Sequence, residues 1–239
     1  MKRIFLIVLI IGFVCFKISS QTLLLKKNVK DNAYSHKKGP NMKRFSHIYF
    51  GYEFFAGNSD DKGAEIIYGL SSCINIGYRY KFKIFEFYSI GFNTSYSFKK
   101  YVIKQETDKI LPNSILHDKE KIRFNNAELE FYNRFNIGKR GNIIGKYLDI
   151  GLFGNWAFAI NHLTKDKVND EDNKAELAII KYHNLLYTKR FFYGFSTRLG
   201  INRLAISAEY RLSDLFKKEY QLPELPRFCI GLELALYNK

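Results

Sequence analysis

Between Phe45 and Leu236 the chain alternates bulky apolar residues with small or polar ones at period two, the pattern of strands that present one face to each of two surroundings. Ile48, Phe50, Tyr52 and Phe54 alternate with His47, Tyr49, Gly51 and Glu53. The same rhythm returns from Tyr68 to Arg79, from Tyr88 to Phe98, from Glu128 to Ile137, from Leu148 to Ile160, from Phe191 to Ile201, from Leu204 to Leu212 and from Phe228 to Leu236. Eight segments result, each long enough to cross a bilayer at a tilt of roughly 45°. Three connections are tight, at Lys81 to Lys83, Lys139 to Gly145 and Ile201 to Arg203. The others are long: Gly57 to Ala64, Lys99 to Arg123, His162 to Thr188 and Ser213 to Pro226. In the third of these, Ala175 to Tyr187 reads equally as a short helix over the mouth or as an extension of the strand that follows.

Short turns on one rim and long loops on the other predict an all-β fold, an eight-stranded antiparallel up-and-down transmembrane β-barrel. Which face points outward follows from volume. The apolar face carries about forty bulky side chains, and the inside of an eight-stranded barrel is only just wide enough for the smaller set. The bulky set is therefore expected outside. The inward set then carries Glu53, Arg79, Glu128, Glu130, Arg134, Arg198, Glu209, Arg211 and Glu233, a charge network, together with Tyr49, Phe87, Tyr132 and Phe153. Its near balance of carboxylate and guanidinium predicts a self-paired plug and a barrel that conducts poorly. Arginine is the only cation expected at mid-strand inward positions, with lysine confined to turns, loops and tail.

Composition agrees with long aromatic strands: 22 Phe and 17 Tyr stand beside only 4 Pro in 239 residues. No Gly-x-x-x-x-Gly-Lys, strand-linked Gly-x-Gly-x-x-Gly or Cys-x-x-Cys spacing occurs, so no cofactor and no structural zinc is expected. Asn58 to Asp61 and Asn169 to Asn173 are rich in oxygen ligands, but neither has the spacing of a calcium loop, and both read as solvated turns.

Met1-Lys2-Arg3, the uncharged run Ile4 to Phe16 and the small residue Ser20 form a secretory signal peptide, residues 1–20. Residues 21–44 are a basic periplasmic segment with Lys26, Lys27, Lys30, Lys37, Lys38, Lys43 and Arg44, and residues 45–239 are the barrel. Export rules out nucleic acid as the partner of this charge and leaves anionic lipid or an acidic envelope protein. Export also leaves two cysteines, Cys73 and Cys229, which fall on strands either side of the first and so lie beyond disulfide reach.

The signal peptide, the eight alternating Gly/Tyr-rich strands and the closing segment Pro226 to Tyr237 resemble the small, porin-like outer-membrane β-barrel proteins of Bacteroidota, similar in architecture to the transmembrane domain of OmpA. The resemblance implies a cell outer-membrane location, contact with outer-membrane lipid and lipopolysaccharide, and recognition of the closing segment by the barrel insertion machinery. It carries no catalytic motif. It implies a structural or partner-binding role through loops and basic tail, of which an accessory place in a secretion machine, like that of PorT-type barrels, is one form. A lipid-modifying enzyme using His162, predicted on the outward face, or His183 with Asp166 and Asp170 is the competing reading. His47 reads as an inward wall residue, and His36 and His117 as exposed. A diffusion channel is disfavoured by the narrow lumen.

Cleavage between Ser20 and Gln21 is expected, and the intact mass of membrane-extracted protein measures it. A product that retains Met1 to Ser20 would contradict it.

Overall fold

Alternating segments this apolar on one face cannot stand alone; each satisfies its backbone by pairing with the next in the chain. In a computed structural model describing residues 38–57, 62–169 and 175–237, nine strands form: β1 (Arg44–Ala56), β2 (Ser72–Lys83), β3 (Tyr88–Ile103), β4 (Lys119–Ile137), β5 (Lys146–Asn169), β6 (Ala175–His183), β7 (Phe191–Ile201), β8 (Leu204–Arg211) and β9 (Phe228–Leu236). Eight of them close a barrel of antiparallel neighbours. β1 to β5 pair in sequence, β5 continues to β7, β7 to β8 and β8 to β9, and β9 returns to β1. β6 lies outside this ring and, among the described residues, pairs only with the far end of β5, from Asn161 to Asn169. The segment read as a signal peptide, residues 21–37 with His36, the 58–61 run and residues 170–174 with Asp170 lie outside the described residues.

Parity along each wall strand is strict, except on β5, where a bulge reverses it. On β1 every odd position from Phe45 to Phe55 is buried and every even position from Arg44 to Phe54 exposed. The outward set makes a continuous apolar belt that includes Phe50, Ile76, Phe131, Leu152, Phe195, Ile206 and Leu232. The inward set is filled by a repeated device in which a large aromatic side chain lies over a glycine directly opposite on the adjacent strand. Tyr49 faces Gly77, Tyr132 faces Gly91, Tyr147 faces Gly200 and Phe153 faces Gly194. A Cβ at Gly200 would stand 2.1 Å from the Tyr147 ring, and one at Gly91 only 2.4 Å from the Tyr132 ring. The glycines give the rings their room.

Beyond the belt, toward the long loops, the two faces exchange character. On β3 the inward series Asn93, Ser95, Ser97 gives way to Tyr101 and Ile103, while the outward series Phe92, Tyr96, Phe98 gives way to Lys100. On β4 the inward residues Phe124 and Ile122 are apolar and the outward Arg123 and Lys121 are charged. There the wall resembles a water-soluble barrel with an apolar interior. Phe55, Ala64, Ile66, Tyr101, Ile103, Leu111, Ile122, Phe124, Ile160, Phe192, Leu215, Phe216 and Leu225 form that upper core, with three loops folded into it.

The exchange explains where the strands outrun the sequence reading. β3 and β4 continue to Ile103 and from Lys119, so the connection between them is residues 104–118, not Lys99 to Arg123. Residues 175–183 are a strand, and the segment from Tyr68 to Leu70 is a single 3-10 turn ahead of β2. A bulge on β5 opposite Asn125 and Asn126 shifts the register between Ala157 and Ala159. Past it the faces swap, so Ile160 and His162 point inward, contrary to the parity read from the sequence. Phe87 also departs from expectation. Phe85 and Tyr88 exchange backbone hydrogen bonds of 2.9 and 3.3 Å, which leaves Phe87 exposed at the tip of the β2–β3 turn and not in the lumen.

Gly91→Ala is expected to destabilise the barrel by about 1–3 kcal/mol through overpacking. Gly154→Ala, whose Cβ would have no neighbour within 4 Å, should cost nothing measurable. Urea unfolding in detergent micelles compares the two.

Candidate functional site

The lumen is where chemistry-bearing side chains converge. Lowest among them, Phe45, Ile144, Tyr147, Ala205 and Ala235 form a small apolar floor with Tyr237. The segment before β1 folds beneath it. Lys81, buried and inward, donates to the Pro40 carbonyl, and Arg140 donates to Asn41 at 3.0 Å.

Above the floor three guanidiniums and three carboxylates interlock. Arg134 holds Asp149 through two hydrogen bonds of 2.7 Å, and Arg198 grips Glu130 through two of 2.8 Å. Arg198 also reaches Asp149 at 3.3 Å and Glu233 at 3.8 Å, while Glu233 accepts from Arg79 at 2.8 Å. Aromatic faces cap the cations: Arg79 sits 4.2 Å over Tyr49 and Arg134 3.8 Å over Tyr147. Remaining carboxylate lone pairs are met by Asn93 and Ser196, which both donate to Glu130. Every member is buried, so the pairing must replace hydration group by group.

Nearer the loops the balance changes. Glu209 pairs with Lys99 at 2.9 Å; Glu128 accepts from Ser95 and Asn155 at 3.2 and 3.0 Å; Glu53 accepts from Ser207 at 2.7 Å. Neither Glu53 nor Glu128 has a cation within salt-bridge reach among the described residues. Cys73 and Cys229 are buried here as free thiols, placed opposite Glu53 and Phe55 on either side of β1.

At the loop rim, polar hubs tie the loops to the wall. Glu120 accepts from Gln105 at 2.9 Å, from His162 at 2.7 Å and from Lys109, which binds the β3–β4 loop to β4 and β5. Arg211 donates to Glu224 at 2.9 Å and to the carbonyls of Ser213 and Leu225. Glu224 in turn accepts from the backbone of Leu215 and Phe216, so this pair seats the β8–β9 loop. Asp166 accepts from His117, which is half-buried and not exposed, and from the Asp118 amide.

No protein-family model matches this chain, and no curated protein matches it.

Of the nine charged residues read from the sequence, Arg79, Glu130, Arg134, Arg198 and Glu233 meet in one network, completed by Asp149. Asp149 lies on the inward face of the alternation, so parity alone could have included it. Glu209 stands apart with Lys99, Glu53 and Glu128 rest on neutral donors, and Arg211 serves the loop. Lys99 and Lys81 correct the expectation that inward cations are all arginine: at both ends of the lumen a lysine stem reaches its partner along an aromatic face, 5.3 Å from Phe153 and 5.8 Å from Phe45. His47 is inward, stacked on Phe45. His162 and His183 do not share a site. His162 is buried on Glu120, with no serine, threonine or cysteine hydrogen-bonded to its ring among the described residues, and His183 is exposed at the end of β6.

Asp149→Ala strands Arg134 in the lumen and should cost about 3–5 kcal/mol, whereas the joint replacement with Arg134→Met should recover most of it. Unfolding in urea with a double-mutant cycle measures the coupling.

Glu120 supplies a pH test. Burial alone would raise its pKa, but hydrogen bonds from His162, Lys109 and Gln105 outweigh burial and hold the carboxyl below the usual glutamate value. A carboxyl lowered in the folded state contributes fully above its unfolded pKa of about 4.3 and loses that contribution as pH falls through the lower folded value. Hydrogen exchange in residues 104–118 should therefore rise as pH drops below about 4.3, after correction for intrinsic rates. Glu120→Gln should flatten that response.

Proposed function

We propose that this chain is an integral outer-membrane β-barrel with a side-chain-filled lumen, of the kind found as small porin-like, OmpA-like barrels in Bacteroidota, and that it works by binding partners outside the lumen and not by conduction. The observation that carries this reading is the exchange of inner and outer character along β3, β4 and β5. A barrel in water alone would have no use for a belt of exposed Phe131, Leu152, Phe195 and Leu232. A barrel buried throughout in lipid would not put Lys100, Lys121 and Lys165 outside. A wall that passes from lipid to water needs both, in this order.

The partner-binding part of the reading rests on β6. Among the described residues its outer edge is unpaired, and Leu177, Ile179, Ile180 and Tyr182 are all exposed on the β5–β6 hairpin, past the point where β5 stops pairing with β7. An apolar strand edge beyond the belt suits another envelope protein, and an accessory role in a secretion machine of the PorT type is one setting for it. Outer-membrane lipid and the insertion machinery are the partners of the belt and of the closing strand β9.

Two measurements test the proposal together. Cell fractionation should recover the mature chain in outer membranes, resistant to alkaline carbonate. The purified protein in planar bilayers should show no large, steady open state, and truncation of Glu128, Glu130 and Arg134 to Ala should raise leakage. Recovery in the soluble periplasm would overturn the membrane reading, and a wide, long-lived conductance by the unmodified protein would overturn the filled lumen.

A further inference from the structure

Directly beyond the belt, the outward face of β3 to β6 is a lattice of cations set out by strand register. Lys100 stands opposite Arg123, which stands opposite Asn161. In the next row Val102, Lys121, Leu163 and Lys181 face the same way, and above them Lys119 stands opposite Lys165. The rows beneath are Phe98, Asn125 and Ala159, then Tyr96, Ala127 and Trp156 at the aromatic edge of the belt. Like charges directly opposite on adjacent strands repel, and this face has two such pairs, Lys100 with Arg123 and Lys119 with Lys165.

Nothing among the described residues relieves them. The nearby carboxylates are engaged elsewhere, Glu120 inward on His162, Asp166 on His117 and Asp118 on the Lys167 amide, and none of Lys100, Lys119, Lys121, Arg123, Lys165 and Lys181 makes an ion pair among the described residues. The Arg123 Nε is buried without a hydrogen-bond acceptor. Partial burial together with the neighbouring Arg123, Lys100, Lys165 and Lys119 holds the Lys121 pKa below the usual lysine value. A patch of cations with no carboxylate partners among the described residues suits an anion, to which each ammonium and guanidinium can donate charge-assisted hydrogen bonds.

Height and geometry identify the anion. Lys100 is four residues beyond Tyr96, which at the usual strand rise and tilt is roughly 10 Å farther along the membrane normal, and lysine and arginine stems reach back toward the interface. That is headgroup level. A single phosphate can bridge only one of the two like-charge pairs, and Arg123 and Lys119 lie four residues apart on β4, or roughly 13 Å along the strand. We propose that the outward face formed by Lys100, Lys119, Lys121, Arg123 and Lys165 docks the headgroup of a multiply phosphorylated glycolipid of the outer leaflet, of the lipid A class, whose acyl chains lie on the belt below. The proposal rests on the outer-membrane reading above for the source of its ligand, while its chemistry stands on the lattice.

The test uses the full mature chain folded in zwitterionic detergent micelles, with bound lipid counted by native mass spectrometry. The probes are bisphosphorylated lipid A, the same lipid with its phosphates removed, and inorganic phosphate. The unmodified protein should retain the phosphorylated lipid about tenfold better than the dephosphorylated one, as charge-assisted contacts of this kind allow. The variant K100Q/K121Q/R123Q/K165Q should lose that preference, while K189Q/R190Q/K217Q/K218Q, which removes four cations from another side, should keep it within about twofold. Without lipid the first variant should melt above the unmodified protein, because the repulsion is gone, and it should gain less on adding lipid A. Should the fourfold variant not fold, K121Q alone carries the same expectation at smaller size.

Equal retention of both lipids, or equal loss in the two fourfold variants, would overturn the proposal. Displacement by millimolar inorganic phosphate would overturn the lipid as source. Because binding is read in micelles, recovery of the protein outside the outer membrane would sink the location without touching this result, and outer-membrane recovery with no phosphate preference would sink the lattice alone.

Discussion

Strand parity assigns each side chain of an eight-stranded wall to one of two surroundings, and the inner one is just wide enough for side chains. Everything inside must therefore fit in volume and pair in charge within the barrel. The fit is made by setting Tyr49, Tyr132, Tyr147 and Phe153 over opposing glycines. The pairing is made by bidentate Arg134–Asp149 and Arg198–Glu130 contacts, with Tyr49 and Tyr147 rings against the guanidiniums. Buried pairs of this kind add little net stability over an apolar filling. What they supply is a single arrangement, because any slip of register by one residue would turn the charges outward and the belt inward.

The same parity continues where the outer face turns from apolar to charged, and there the inner set changes with it. Past Asn125 and Phe98 the inside becomes a hydrophobic core built from wall and loops, and apart from the inward Lys99 and Glu120 the charged residues of β3 and β4 move outside. A loop needs something to pack against, and this upper core provides it. Leu111 of the β3–β4 connection and Leu215, Phe216 and Leu225 of the β8–β9 connection are buried in it. The Glu120 and Arg211 hubs then fix the loop backbones by hydrogen bonds. The lumen is closed from both ends by different means, polar segments beneath and apolar loops above.

The wall was legible because the belt imposes an alternation with one constant sign. Strand number, two of the three tight turns and the inward places of Glu53, Arg79, Glu130, Arg134, Arg198 and Glu233 follow from it; the first turn falls at residues 84–87, because Lys81 to Lys83 still pair within β2. Where the sign reverses, that reading stops: Tyr101, Ile103, Ile122 and Phe124 look like loop residues when apolar is taken to mean outward. The bulge on β5 is a backbone event at Ala157 to Ala159 with no glycine to mark it, so the inward turn of His162 had no signal in the sequence. Lys99 was hidden for a related reason, since it sits at the last polar inward position before the upper core and reads as the start of a loop. Asp149 needed no further signal beyond the parity already in hand.

The central claim is that one wall crosses from an apolar to an aqueous surrounding near Asn125. A nitroxide scan along the outward positions of β4 in reconstituted bilayers, with Cys73 and Cys229 replaced by Ala, reads this directly. Labels at Ala127, Leu129, Phe131 and Phe135 should relax mainly with oxygen and labels at Lys119, Lys121 and Arg123 mainly with a water-soluble nickel complex, the crossover falling between Arg123 and Ala127. A profile that is aqueous along all of β4, or one whose crossover lies at the short-turn end, would contradict the account.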